Sequence, residues 1–394
     1  MNPFDSLVRR TEREWRRTRS RIGAFPDIAT RLLTEFEYGL RKEQLDEWLV
    51  RWFRKGEIPE QVSLHNTFGQ PPITLFNNGE VVVDLYLWLT CDTAIHSHGF
   101  RGAFRVLHGK SLHEAFRVKV ARRIAPGVMD CDPGIPELAL LGPGDVRTIL
   151  PGEKLTHRVI HLENPTVTLC VKTINEPGLY QWEYHPDGLA VQRRHLDPGL
   201  IKGLYYFQSL LGQNPDLATA FLEKRIRALS VVSRMNLYEE ISGGAYDFSD
   251  ETIDECLAQI RAQHGDEPWF RRYESAIPFH LKDLAVECCE SPPERLVAHL
   301  INRAYDRTTS ARLLSGLTGR EFSEGEVREL SASLMDYEPI FGCELSMEDR
   351  ARIRDLILHP ARRIPAALQP FGQIPRMRAF IAGFPRLQTA ATRV

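Results

Sequence analysis

No stretch of about 18 consecutive apolar residues occurs in this 394-residue chain, so no membrane-spanning helix is expected. The opening segment, Met1 to Arg21, is crowded with arginine where a secretory signal would carry an apolar core, and a cytoplasmic location is the expectation. Cysteine supplies no framework. The seven cysteines, Cys91, Cys131, Cys170, Cys256, Cys288, Cys289 and Cys343, are odd in number and form no CxxC pair, which points away from disulfides and from a Cys-based zinc site. An excess of one charge is missing too. With 50 basic and 52 acidic side chains the formal net charge is −2, so no global field favours a polyanion, and neither nucleic acid nor membrane is an expected partner. No repeat of fixed period is present.

What is present is enough apolar residue, 43% of the chain, to fill more than one core, since single cores rarely grow past about 250 to 300 residues. The texture of the chain changes twice. Residues 1–60 read as helices: Leu32, Leu33, Phe36 and Leu40 recur at helical spacing, as do Leu45, Trp48, Leu49 and Trp52, each set an apolar stripe for packing on a larger body. The mixed-sign run RRTEREWRRTRSR reads as a solvated helix face.

Residues 61–195 switch to short β-rich runs between turn signals such as NNG, GPGD, PGE and ENP. The runs at 73–76, 81–90, 102–109, 112–121, 145–150, 157–162 and 166–173 predict seven strands, nearly a closed barrel. Tyr180, Trp182 and Tyr184 alternate like a closing strand. Residues 196–360 return to helical periodicity, and 361–394, rich in Pro, Arg and Gly, form an irregular tail. The expected class is α+β: a β-barrel with N-terminal helices and a C-terminal α-helical domain. The helix around 324–329 carries Glu324, Glu326 and Glu329, the wrong sign for reading DNA.

The segment 95–109, IHSHGFRGAFRVLHG, carries the chemistry. His96 and His98 are one residue apart at a strand start, so alternation puts both imidazoles on one face, where they can share an ion. About sixty residues on, GPGDVRTILPGEKLTHRV brings His157 into a strand between turns, able to swing a third imidazole to the same centre. Three neutral nitrogens leave coordination positions open, as catalytic metal sites do. If His157 points inward, so do Val159 and His161, and Cys170 and Lys172 share a face across the ENP hairpin. His161 and Lys172 are therefore the candidates for proton or charge management, Lys172 as a base because partial desolvation disfavours its ammonium form. Cys170 and Tyr86 are candidates for substrate contact, Cys170 also as a soft ligand. Plainer roles exist for each: Cys170 as a small buried hydrophobe, Lys172 as a snorkelling residue, His161 as a barrel-lining group, and Tyr86 with Trp88 as core aromatics. Arg101 and Arg105 fall out of phase with His96 and His98 and belong outside the barrel, with Arg101 a rim candidate for substrate. His108 and His113, flanking the Gly-Lys turn, are expected to face solvent.

The two blocks, HxH followed by a glycine-terminated strand and then PGD…PxG…H, resemble the sequence motifs of the cupin superfamily over roughly 70–175. The resemblance implies a cupin barrel, a double-stranded β-helix, holding one divalent metal through His96, His98 and His157. Most metal-binding cupins add a Glu after three or four intervening residues beyond the second His; Gly102 and Ala103 stand there. A three-histidine site with Gly at that position is similar to the thiol dioxygenases, including cysteine dioxygenase, and His157-Arg158-Val159 echoes their third-ligand segment. Where those enzymes carry a Ser-His-Tyr set and an early-strand Arg, this chain has Cys170 and Lys172 and no Arg in 73–76. The implied function is a mononuclear Fe(II) oxygenase acting on a small organic molecule. Zinc, manganese or nickel in the same ligands implies an isomerase or hydrolase, and a non-catalytic sensor or interaction module is the reading from another class. For the helical domain a homodimer contact, a lid and a docking surface stay open.

Overall fold

The computed structural model describes residues 2–56, 58–61, 72–89, 93–174, 176–185, 188–280, 289–302, 305, 307–337 and 346–359. The expected tail, 361–394, lies outside them. Three N-terminal helices, α1 (Asp5–Thr18), α2 (Phe25–Thr34) and α3 (Lys42–Arg54), come first. Their apolar stripes, Leu7 and Trp15, Leu32 and Leu33, Leu45 and Leu49, form one buried cluster with Val81, Val83, Leu85, Leu169 and Val171. The helices thus cover the outer face of one sheet, and each fully buried Leu or Phe there contributes about 1.5–3 kcal/mol of transfer free energy.

Thirteen strands follow among the described residues: β1 (Ile73–Asn77), β2 (Val81–Trp88), β3 (Ile95–Ser97), β4 (Gly102–His108), β5 (Ser111–Phe116), β6 (Lys119–Ala125), β7 (Val128–Asp132), β8 (Glu137–Leu141), β9 (Val146–Ile149), β10 (Thr156–His161), β11 (Thr166–Thr173), β12 (Trp182–Tyr184) and β13 (Leu189–Gln192). They make two antiparallel sheets, β1-β2-β11-β4-β9 and β6-β7-β13-β12-β3-β10-β5-β8. The pairing is nested: β2 with β11, β3 with β10, β4 with β9 and β5 with β8. The first half of the barrel is therefore one arm of a long hairpin and the second half the other. Lateral pairs β4–β11 and β5–β10 roll that hairpin into a double-stranded β-helix. This is the cupin barrel, inside an α+β chain.

Seven predicted strands thus become thirteen. The run 112–121 breaks into β5, with four buried residues, and β6, which is exposed over its first five. The alternation of Tyr180, Trp182 and Tyr184 ends in β12, and that of His96 and His98 begins in β3, three residues each.

The helices after the barrel pack in two groups. α4 (Pro198–Leu211), α5 (Pro215–Ala228), α6 (Val231–Ser242), α7 (Asp250–His264) and α8 (Pro268–His280) bury residues such as Leu204, Phe207, Leu222 and Met235 with Val128, Leu189 and Val191 of β7 and β13. Local side chains start these helices: Asn214, Ser230 and Ser249 each accept a hydrogen bond from a first-turn backbone N–H. α9 (Pro292–Asn302), α10 (Arg307–Thr318), α11 (Glu324–Ser333) and α12 (Met347–Leu358) form a second cluster with Leu112, Ile160 and Leu162 on the outer face of β5 and β10. At the centre of that contact lies a buried polar knot. Arg158 of β10 donates to Glu114 directly across on β5, through Nε at 2.7 Å and through its terminal nitrogen. Glu114 Oε1 meets His299 Nε2 of α9 at 2.9 Å and accepts from the Tyr305 hydroxyl at 2.8 Å.

Candidate metal centre

On the inner face, β3 and β10 lie antiparallel with His96 opposite His157. His98, two residues on, faces the same way and is anchored by a bridge to Pro151, with Gly152 N–H donating to the His98 carbonyl at 2.8 Å. Gly152 sits at φ +61°, a left-handed conformation that glycine adopts without cost. The PGE turn thereby delivers β10 back beside β3. The three imidazoles are 3%, 8% and 3% exposed, and their ligand nitrogens all lie within 4.8 Å of one another. Nitrogens on one ion at ~2.1 Å stand about 3.0–3.4 Å apart in octahedral or tetrahedral geometry, so the group fits a divalent cation once its widest pair closes by roughly an ångström.

The protonation states suit that fit. Burial pushes His96 down to about 4 and holds His98 and His157 well below the ordinary imidazole value, each helped by its histidine neighbours or opposed only by a carbonyl. The His96 Nδ1–H donates to the Ala94 carbonyl at 2.8 Å, which leaves the lone pair on Nε2. His98 Nε2 and His157 Nε2 lie 2.8 Å apart. His157 Nδ1 lies 2.8 Å from His113 Nε2; with His157 as the donor, this contact holds the tautomer that ligates through Nε2.

His113 corrects an expectation: it is 5% exposed and points into the barrel rather than to solvent. Burial, with Arg147 nearby, pushes it down to about 4. The reason is that the outer face of β5 is itself buried, under α9 to α12, so Leu112 and Glu114 face outward and His113 inward. His108 is half-buried against the Tyr38 hydroxyl at 2.8 Å.

The imidazoles line one side of a cavity of about 650 Å³, counting its open mouth. Phe100, Phe104, Ile149 and Val159 supply apolar wall, and Tyr86, Trp88, His161, Cys170 and Lys172 also reach it. Lys172 and Cys170 therefore share the inner face with His161, as alternation predicts. The electrostatics of Lys172 reverse the sequence expectation. Burial works against its ammonium, but the facing Tyr86 and Asp84 oxygens outweigh that, and its pKa is raised. Its Nζ lies 2.9 Å from Asp84 Oδ2 and donates to the Tyr86 hydroxyl at 2.5 Å, while Thr74 donates to the other Asp84 oxygen at 2.8 Å. Lys172 is a fixed cation with a fixed counterion. Cys170 is a thiol whose pKa burial pushes up to about 12, and it is outside the three-nitrogen group. His161 is pushed down to about 3 by burial; its ring stacks on Trp88 with centroids 4.3 Å apart and its Nδ1 lies 3.0 Å from Ser111 Oγ.

Arg101 is not among the residues lining the cavity. Its Nε donates to Glu176 at 2.9 Å. Arg105 points outward, donating to the Leu33 and Phe36 carbonyls of the N-terminal helices. Gln181, which sequence reasoning passed over, lines the cavity; it lies between Tyr180 and Trp182, the aromatics that drew the reading of this segment. At Gly102, where a carboxylate ligand would stand, an added Cβ would lie 2.1 Å from the Val171 carbonyl oxygen. The close pairing of β4 with β11 excludes any side chain there.

No family model and no curated protein matches this chain. Among solved structures, the chain is similar to hydroquinone 1,2-dioxygenase from Sphingomonas sp. TTNP3, at 14% identity over 28% of this chain and 70% of that one, with a TM-score of 0.21. It is also similar to a sugar phosphate isomerase from a cupin superfamily of Silicibacter pomeroyi, at 14% identity over 29% and 68%, with a TM-score of 0.21. A structure of DMSP lyases aligns at 14% identity over 45% of this chain and 96% of that one, with a TM-score of 0.24.

Proposed function

We propose that the barrel holds one divalent metal through His96, His98 and His157 and works as a metal-dependent enzyme on a small organic molecule, foremost as a mononuclear non-haem Fe(II) oxygenase. One observation carries this reading: three buried imidazoles converge at the wall of a largely apolar cavity. Iron held there would supply dioxygen activation and Lewis acidity, whereas zinc, manganese or nickel would serve an isomerase or hydrolase. The chain's own residues do the rest. Phe100, Phe104, Ile149 and Val159 exclude water from the reacting groups. Lys172, paired with Asp84, stays protonated and serves as a fixed charge rather than as a base. His161 lines the same wall as a neutral imidazole and is the candidate there for handling a proton.

Elemental analysis of protein purified without metal supplementation, beside His96→Ala and His157→Ala, tests this. One equivalent of iron in wild type, lost in both folded variants, supports the oxygenase and justifies an oxygen-consumption screen. One equivalent of zinc, manganese or nickel moves the reading to non-redox chemistry. No metal after anaerobic reconstitution removes the three-histidine site.

The knot of Arg158, Glu114 and His299 favours a second reading, a sensor. It joins α9 to the strand residue that follows His157. That reading predicts altered amide exchange in α9 to α12 on metal or ligand binding, and no turnover.

A further inference from the structure

Tyr86 of β2 and Thr168 of β11 stand directly opposite each other on the inner face, and both line the cavity. Each hydroxyl oxygen is already an acceptor. Lys172 Nζ donates to the Tyr86 oxygen at 2.5 Å, and Trp88 Nε1–H donates to Thr168 Oγ1 at 2.8 Å. Neither donor can accept in return, since an ammonium and an indole N–H offer no lone pair. Each hydroxyl keeps one hydrogen of its own, and among the described residues none accepts the hydrogen of Tyr86 or of Thr168. The carboxylate beside them, Asp84, is engaged by Thr74 at one oxygen and by Lys172 at the other.

The phenol tip of Tyr86 lies inside the barrel. The Lys172 ammonium that it meets sits 5.0 Å from the centroid of the Phe100 ring, and that ring meets His98 with centroids 4.5 Å apart. The hydroxyl is thus surrounded by inner-face groups of β2, of β11 and of the segment after β3, on the histidine side of the cavity. Tyr86 also keeps 8% of its surface accessible, against 2% for Lys172 and 2% for His161. Trp88 stacks on its ring, with centroids 5.3 Å apart and planes within 10°, so the ring is held while its O–H bond stays free to rotate.

Chemistry gives the ligand a class. Lys172 and Asp84 cancel each other at 2.9 Å, so this corner calls for no net charge. Its oxygens are spent as acceptors and its hydroxyl hydrogens are not, so the group that completes it is an acceptor; a ligand O–H or N–H finds less to bond here. The neighbouring wall, Trp88, Phe100, Phe104 and Ile149, favours an apolar or aromatic body.

We infer that Tyr86 is the residue through which this cavity holds its ligand: the Tyr86 O–H, oriented by Lys172, donates to a carbonyl oxygen on a small apolar or aromatic molecule. This names a ligand class for the cavity of the proposed function, and it rests on the cavity of that reading and not on its metal.

Acetophenone, with and without a heavy-carbon label at the carbonyl, is added to an excess of metal-free protein, and the infrared difference spectrum isolates the carbonyl stretch of the bound ketone. In wild type the stretch is expected at lower wavenumber than in hexane, and in Tyr86→Phe at the hexane value with circular dichroism unchanged. By calorimetry the variant is expected to bind acetophenone about 3- to 10-fold more weakly and α-methylstyrene, the alkene of the same shape, within about twofold of wild type. A hexane-like stretch in wild type, or no ketone binding, overturns the inference whether or not the variant folds. A lowered stretch that Tyr86→Phe leaves in place, or an equal loss of ketone and alkene binding, overturns it as well. The metal content of the same preparation, measured before chelation, decides the metal reading separately.

Discussion

His113 Nε2 lies 2.8 Å from His157 Nδ1, so the third candidate ligand is oriented by another neutral imidazole rather than by a carboxylate. A neutral acceptor leaves the full cationic charge of a bound metal to be met by substrate, whereas a carboxylate acceptor would offset part of it.

If His113 positions His157, His113→Ala lowers zinc affinity by about 10- to 100-fold with the fold intact, and His113→Gln, which keeps an acceptor, recovers much of the loss. Competition with a chromophoric chelator measures both. Unchanged affinity in His113→Ala would show that His157 needs no such support.

The Arg158–Glu114 pair is fully enclosed, with side chains 2% and 0% exposed. Arg158→Met strands the Glu114 carboxylate among His299 and Tyr305 and is expected to cost about 3–5 kcal/mol. The double variant Glu114→Leu/Arg158→Met removes both charges and is expected to be far less damaging. Urea denaturation followed by circular dichroism gives both values, and a single-variant cost under about 1 kcal/mol would contradict the enclosure.

Acid should destabilise the metal-free protein. The folded pKa values of His96 and His113, about 4, and of His161, about 3, lie below the ordinary imidazole value. Between about pH 6.5 and those values the unfolded chain binds more protons than the folded one, so stability is whole above pH 6.5 and falls as pH falls through this window. Each such histidine contributes up to about 1.4 kcal/mol per pH unit. A urea midpoint unchanged from pH 7.5 to pH 5 would rule out neutral burial.

Restoring a carboxylate at Gly102 should not strengthen the metal site. A Cβ there meets the Val171 carbonyl oxygen at 2.1 Å and the Lys172 Cα at 2.8 Å. Gly102→Ala is expected to cost at least about 1–3 kcal/mol through overpacking, and Gly102→Glu more, without gain in metal affinity. Thermal melts with metal titration decide this; a stable Gly102→Glu that binds metal more tightly would mean the β4–β11 backbone yields.

Much of the site is legible in the order of the residues. A two-residue period puts His96 with His98, His157 with His161, and Cys170 with Lys172, because successive side chains of a strand point to opposite faces. The PGE turn before His157 announces the return of β10. Strand count is less legible, since an exposed strand such as β6 shows no apolar alternation and merges with β5 in one run.

Alternation by itself determines which residues share a face and leaves open which face is inside. In β5, Leu112 and Glu114 share one face and His113 takes the other, and the Gly-Lys turn beside His113 suggests that its face is the one turned to water. The tertiary structure decides otherwise: α9 to α12 bury the outer face, so Leu112 packs against helices, Glu114 joins His299, and His113 enters the barrel beside His157. The charge on Lys172 is settled in the same way, by Asp84, which stands 2.9 Å away on β2 although the two residues are far apart along the chain. A side chain's period is local and is written in its neighbours along the chain, whereas its environment is set by whatever packs against it from afar.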